Sequence, residues 1–481
     1  MVIRTDIPAR LDRLPWSRWH WRIVLALGVA WVLDGLEVTV VGSIGAVLAR
    51  PDTLALSATA IGWAGSAYVG GAVLGALYFG RLADRLGRKR LFLVTLAVYL
   101  AATLTTAFAV DFATFIVCRA VTGFGIGGEY AAINSAIDEL IPARVRGGVN
   151  LAINGSFWVG AAIGAGLSLV LLDPRVLGPQ LGWRAAFGLG ALMAVAIFLV
   201  RRDLPESPRW LLVQGRVEAA QREVRRIEAA VEREHGALPP PDRRLAIRLR
   251  PPPALGEIAR VLVTRYPSRT FLGLALIVSQ AFVYNAIFFT YALVLTRFYD
   301  VPEASVGRYI LPFAISNFLG PLALGPLFDR VGRRTMIALT YALSGVGLVA
   351  TGYGFMQGSL DASTQTLCWA AVFFLTSAAA SAAYLTVSEV FPLEMRAMSI
   401  AVFYAVGTGA GGFLAPALFG VLIETQSRAA VFVGYAMGGA LALLAALVAV
   451  VWGVDAERKP LEEIAAPLSA ASDGVEREAG R

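Results

Sequence analysis

The chain has 481 residues, 57% of them hydrophobic and 16% charged, with a formal net charge of +8. A soluble domain carries roughly 25% charge and no serial apolar runs of about 20 residues, so the composition excludes a soluble globular protein. The runs are continuous rather than alternating, and a bilayer leaves the backbone only helices or closed barrels, so the spans are helices.

An arginine- and tryptophan-containing N-terminal arm, residues 1–21, precedes the first span, 22–48. That span is too long for a signal-peptide core and is expected to remain as a helix. It contains "WVLDGLEVTVVG", in which Asp34 and Glu37 share one helix face. A second span, 59–80, leads into "GRLADRLGRKR", Gly80 to Arg90. Spans 91–110 and 112–137 follow, the latter with Arg119 and Glu129. Ionisable groups at bilayer depth cost roughly 2.5–3.5 kcal/mol each and usually mark function. At about 1.5 Å per residue, Glu37 lies roughly 22 Å from the basic end of its span and Arg119 roughly 10 Å from the opposite end of its own. Both fall at similar depth, so a Glu37–Arg119 pair with Asp34 one turn away is expected, and it can load and release a proton. Glu129 is expected to join the charge network at the inner end.

Spans 148–172 and 184–200 complete a first bundle, 22–200. A polar linker, 201–269, carries many arginines, the prolines Pro239–Pro241 and Pro251–Pro253, and the helical stretch "VEAAQREVRRIEAAVERE". Six further spans, 270–296, 305–328, 335–356, 365–390, 397–423 and 428–453, make a second bundle, 270–453. The seventh offers Gln280, Tyr284, Asn285 and Tyr291 as solute-orienting polar groups. A tail, 454–481, has a partly disordered composition.

Arginines cluster in the arm, the 81–90 loop, the 330–334 loop and the linker, whereas Asp52, Asp111, Asp173, Asp300, Glu303 and Asp361 mark the opposite loops. The positive-inside rule then puts both termini in the cytoplasm. The basic charge reflects this sidedness and implies no nucleic-acid partner. "GPLFDRVGRR", Gly325 to Arg334, repeats the first hairpin at the same place in the second half. The result is an all-α polytopic membrane protein with about twelve transmembrane helices in two six-helix bundles and a cytoplasmic helical linker. In the hairpins, Asp84 and Asp329 have no role in anchoring; each can cap a helix or pair with arginines such as Arg85, Arg88, Arg330 and Arg333. A partner in the other bundle would make a cytoplasmic latch. Two cysteines and two histidines, scattered, exclude a metal cluster or a nucleophilic triad. "GFGIGG" and "GTGAGG" lie inside apolar runs and read as close helix packing, not phosphate loops.

Together these strings resemble the major facilitator superfamily, over about residues 20–465. "LPESPRWLL", with Glu206 and Arg209, is similar to the segment after the sixth helix of sugar porters and related metabolite carriers. "CRAVTGFGIGG" resembles their fourth helix. "ELIPARVRG" (Glu139, Arg146) and "EVFPLEMR" (Glu389, Arg396) resemble their paired Glu-x-x-Pro-x-x-x-Arg motifs. The resemblance implies proton coupling at Glu37 and Arg119, and "DGLE" resembles the Asp-Gly-x-Asp of aromatic-acid and metabolite–proton symporters. It implies solute contact at Gln280 and Asn285, at Asn154 with Trp158 one turn on, and at Tyr384, which stands where sugar porters place tryptophan. Ser279 and Val283 depart from that pattern, as do "SAAASAA" and "DAERKPLEE". The expected function is proton-coupled symport of a small polar organic solute, a sugar or polyol or a small organic or aromatic acid. An uncoupled facilitator, a drug or organic-ion exporter and a non-transporting receptor are the alternatives. No enzyme activity, cofactor or metal is expected; the partners are the solute and the lipid of a bacterial inner membrane, and the unit is a monomer.

Overall fold

The computed structural model describes every residue except 1, 173, 202–203, 249–252, 288–289, 303–304, 470–475 and 478–481. Asp173, Glu303, Pro251 and Pro252 thus lie outside the described residues, as does most of the chain after Ser469.

β1 (Val2–Thr5) and α1 (Ile7–Asp12) precede the first span, α2 (Arg18–Leu48). Spans two to four are α3 (Ala58–Leu86), α4 (Arg88–Thr106) and α5 (Phe112–Leu140). The fifth is broken at Ser156 into α6 (Arg146–Gly155) and α7 (Phe157–Leu171), because the Ser156 hydroxyl bonds the carbonyls of Ile153 and Gly28. The sixth is α8 (Pro174–Arg201). The linker folds as α9 (Pro208–Val213), α10 (Val217–His235), β2 (Arg243–Arg248) and α11 (Leu255–Arg260). The second bundle comprises α12 (Pro267–Ile287) with α13 (Tyr291–Phe298), α14 (Val306–Arg330), α15 (Arg333–Met356) and α16 (Ala362–Glu389). Its eleventh span is α17 (Arg396–Gly407), a π turn (Thr408–Gly412) and α18 (Phe413–Glu424); the twelfth is α19 (Arg428–Trp452). Among the described residues, ten spans are long and apolar enough to cross a bilayer by length and composition alone. Of the other two, α5 carries Arg119, Glu129, Asp138 and Glu139, and the eleventh is cut by its π turn.

The repeat reaches beyond the hairpins. Asp111, Cys118, Glu139, Pro142 and Arg146 recur 250 residues later as Asp361, Cys368, Glu389, Pro392 and Arg396. Asp111 and Asp361 do the same work, each accepting at 2.7 Å from the backbone N–H three residues on, Thr114 or Thr364.

Within the first bundle α3 packs on α5 and α2 on α7; within the second, α15 packs on α19 and α14 on α16. Small residues set these distances. A Cβ at Gly123 or Gly127 would stand 2.0 Å from a carbonyl of α3, so "GFGIGG" is a packing surface. The bundles meet where α14 crosses α6 and α17 crosses α3. Both crossings lie toward the face that carries the termini and the linker, here the basic face. Gly80 faces Ala401 there, and Gly325 faces Gly148.

A soluble layer covers that face. β1 pairs antiparallel with β2, from Val2 opposite Arg248 to Thr5 opposite Leu245. Ile7, Leu11 and Leu14 pack against Trp210, Val224, Ile227 and Val231 of α9 and α10. Glu228 binds both Arg10 and Arg13. The described part of the tail packs against this layer. α20 (Leu461–Ile464) buries Leu461 and Ile464, and Glu394 accepts from the backbone N–H of Leu468 (3.0 Å) and Ser469 (2.8 Å).

Candidate functional site

Two charge clusters tie the bundles together at the basic face. In the first, Arg88 bonds Glu139 at 2.7 Å and lies 3.5 Å from Asp84, all three buried. In the second, Arg333 bonds Glu389 at 3.0 Å and Asp329 at 2.9 Å. Each aspartate then turns to the other bundle. Asp84 accepts from the N–H of Met398 (3.1 Å), in the first turn of α17; Asp329 accepts from Gly147 (3.1 Å) and Gly148 (2.6 Å), in the first turn of α6. A carboxylate at a helix N-terminus both satisfies orphan donors and meets the positive end of the helix dipole. The latch is thus mainly a pair of reciprocal helix caps. Two longer ion pairs cross the seam, Arg146 to Glu389 at 3.5 Å and Arg396 to Glu139 at 3.8 Å.

Glu206 caps α4 through the N–H of Arg88 (2.9 Å), and burial raises its carboxyl above the ordinary range against the pull of those amides and of Arg88. Arg209 holds the carbonyls of Asp138 (3.1 Å) and Glu139 (3.0 Å), closing the end of α5, and pairs with Asp12 and Glu462. Glu457 serves α15 as Glu206 serves α4, by accepting from the Arg333 N–H at 3.2 Å. It lies in "DAERKPLEE", where the sequence showed only a departure from the family's string. Arg85 and Arg330 are exposed and stand outside both clusters.

Deeper in the membrane, Arg119 donates to Glu37 at 2.6 Å with both side chains almost wholly buried, and its guanidinium lies 4.5 Å from the Tyr68 ring. Asp34, one turn away, accepts from Tyr68 (3.1 Å) and Tyr130 (2.5 Å). Glu129 lies deeper than the basic-face network. It lines, with Asp34, Trp31 and Tyr130, a cavity of about 10 Å³, near the size of one water. Counting from the end of α5 misplaces it because nine residues, roughly 14 Å, separate it from Asp138.

Aromatic rings fill the seam beside Asp34. Tyr130 stacks on Tyr404 of the second bundle, centroids 4.5 Å apart and 27° between planes, and lies 6.3 Å from Tyr384. Trp31 meets Tyr130 edge-on at 4.5 Å. Gln280 adjoins the Tyr384 hydroxyl. Trp158 crosses the seam to Tyr284 at 5.8 Å, and Tyr284 donates to Asn317 at 2.6 Å. Asn154 belongs to an amide cluster, bonding Asn134 (3.2 Å) and Asn150 (2.8 Å). Asn285 donates to its own helix at Ala281 (2.7 Å), beside Gly412 of the π turn. Tyr291 sits apart, buried in the apolar core with its hydroxyl on Thr366 at 2.6 Å.

Sequence reasoning passed over Trp31, Tyr68, Tyr130, Asn134 and Tyr404. The repeat signals two of them: Asn134 and Asn154 stand 250 residues before Tyr384 and Tyr404. One asymmetry is plain in the sequence. Between its helix ends the second bundle has no Asp, Glu, Lys or Arg, so Asp34, Glu37, Arg119 and Glu129 concentrate the central charge in the first. Among the described residues no His, Cys, Asp and Glu group could hold a metal.

The model of the family described as "Sugar (and other) transporter" matches residues 34–466. The chain is similar to the niacin transporter NiaP of Acinetobacter baylyi, at 27% identity over 95% of this chain and 99% of that protein. It is also similar to the gallate transporter of Pseudomonas putida, at 28% identity over 87% and 88% of the two chains. Among solved structures it resembles the proton:xylose symporter XylE bound to 6-bromo-6-deoxy-D-glucose. The TM-score is 0.75 at 18% identity, over 92% of this chain and 98% of that one, which is likeness of fold.

Proposed function

The chain belongs to the sugar (and other) transporter family, within the major facilitator superfamily, and on that premise we propose that it is a proton-coupled symporter of a small polar organic solute. The basic face is the cytoplasmic one, of a bacterial inner membrane, and the single chain is the working unit. The observation that carries this reading is the buried Glu37–Arg119 pair at 2.6 Å with Asp34 one turn away, and Asp34 bonded to the Tyr130 that stacks across the seam on Tyr404. A carboxylate that trades its arginine for a proton changes the charge of the site as access alternates. The central rings, Trp31, Tyr130, Trp158, Tyr284, Tyr384 and Tyr404, offer flat apolar faces, while Gln280 and Asn317 offer polar edges. That lining favours a solute with a flat polar-substituted ring, such as a small aromatic acid, over an open-chain acid; a sugar is the second reading, favoured by Gln280 and Asn285. The protein moves its solute unchanged; it is a transporter and not an enzyme.

Purified protein, screened by thermal shift against sugars, aromatic carboxylates and open-chain acids, identifies the solute. Uptake into proteoliposomes then tests the coupling. Glu37→Gln is expected to abolish uphill uptake driven by a pH gradient and to leave solute exchange intact. Full uphill uptake in both Glu37→Gln and Asp34→Asn defeats the proton-coupling reading.

A further inference from the structure

We propose that Tyr130 is the positioning residue that transmits the proton occupancy of Asp34 to the cytoplasmic seam. The inference rests on the reading above that Asp34 takes part in proton coupling. Tyr130 is engaged at both of its ends. Its hydroxyl donates to one oxygen of Asp34 at 2.5 Å, while Tyr68 donates to the other at 3.1 Å. Its ring stacks on Tyr404 of the opposite bundle and is held edge-on by Trp31. By helix rise Tyr130 stands ten residues, roughly 15 Å, above the basic end of α5, and Tyr404 eight residues, roughly 12 Å, above that of α17. The stacked pair therefore lies between Asp34 and the reciprocal caps, across the path by which the seam opens.

The chemistry of the acid does the rest. An ionised carboxylate only accepts, so both oxygens suit two hydroxyl donors. A proton that binds adds an O–H to Asp34, and that O–H must itself find an acceptor; no covalent bond breaks and Tyr130 keeps its own proton. Asp34 then becomes neutral and both tyrosine bonds lose their charge assistance. Tyr130 is freed to turn, and its ring leaves Tyr404. The seam loses its aromatic plug when the proton is loaded and regains it when the proton leaves. The groups that face Asp34 and bear on its charge are Glu37 on its own helix, Tyr68 on α3, Tyr99 on α4, and Glu129 and Tyr130 on α5. Tyr384 on α16 and Tyr404 on α17 face it from the second bundle, and Arg119 is held by Glu37.

Tyr130→Phe keeps the ring and removes the hydroxyl. A reporter cysteine at Leu151, on a Cys118→Ala, Cys368→Ala background, reads opening of the cytoplasmic side. In the parent protein its labelling is expected to rise about fivefold from neutral to acidic pH, the worth of charge assistance on one hydrogen bond. In Tyr130→Phe labelling becomes independent of pH and uphill uptake falls. A Tyr130→Phe protein with the parent's pH response and uphill uptake overturns the proposal. If that variant shows no exchange, Tyr404→Leu decides, since it keeps the Asp34 bond and removes the stacked partner. Labelling that is high at both pH values supports the proposal, and an unchanged pH response overturns it. Asp34→Asn separates the two readings. If it retains full uphill uptake, Asp34 is not a coupling group. If it loses uphill uptake while Tyr130→Phe behaves as the parent, only the role of Tyr130 fails.

Discussion

Asp84 and Asp329 lie in arginine-rich hairpins, yet each carboxylate also reaches across the seam to backbone N–H groups of the other bundle. Asp84→Asn keeps an acceptor oxygen and loses the charge that meets the α17 dipole, a loss of about 1 kcal/mol, or roughly fivefold in the open population. Cysteine labelling at the basic face is expected to rise accordingly, and Asp329→Asn to do the same at α6. Glu206 gives a pH prediction. Burial makes its folded carboxyl bind a proton more tightly than the unfolded one. Its contribution to stability is therefore fully present below the unfolded value and is lost as pH rises through the folded value. Glu206→Gln, uncharged but still able to accept the Arg88 N–H, is expected to flatten the fall of Tm across that interval, measured by differential scanning fluorimetry. The sequence showed that Asp84 and Asp329 were out of place among anchoring arginines. It did not reveal their partners, because a backbone amide leaves no mark in side-chain pattern. Glu37 with Arg119 was legible, since two buried opposite charges at equal depth have few other partners. Tyr130 was not, because a tyrosine in an apolar helix looks the same whether or not its hydroxyl meets an acid.

At the level of helices, the seam is a matter of missing side chains. A Cβ on Gly80 would stand 2.5 Å from that of Ala401, and one on Gly325 would stand 3.2 Å from the Cα of Gly148. Gly80→Val is expected to wedge α3 from α17 at about 1–3 kcal/mol, which disfavours the state closed at the basic face. Solute protection of the Leu151 reporter checks it, with labelling raised before solute is added. The spans were legible because an apolar run near 20 residues has one stable solution in lipid. Their ends and breaks were less so. α3 runs on to Leu86, six residues past its apolar stretch, because Arg81, Asp84 and Arg85 continue the helix at the membrane surface. The Ser156 break and the π turn at Thr408–Gly412 depend on neighbours in other helices. β2 needs β1, more than two hundred residues earlier, so "RRLAIR" read only as basic linker.

Across the whole molecule, the arm, the linker and the tail form one strap under both bundles. Asp12 lies within 3.0 Å of Arg209, 3.4 Å of Arg243 and 3.6 Å of Arg146. Removing residues 2–14 is expected to leave both bundles folded and to raise labelling of the Leu151 reporter, because the caps then close the seam without the strap. Neither the packing of the described tail residues nor the strap was legible, since each is built from segments that bury little until the others are present. The bareness of the second bundle has a further consequence. If every group that can exchange a proton with the pathway sits in residues 18–201, the internal repeat has ended in an unequal division of labour, one half drawing on the energy source while both halves line the path of the freight. A hybrid joining this N-terminal half to the C-terminal half of a relative with another solute should then change what is carried while leaving what drives it untouched.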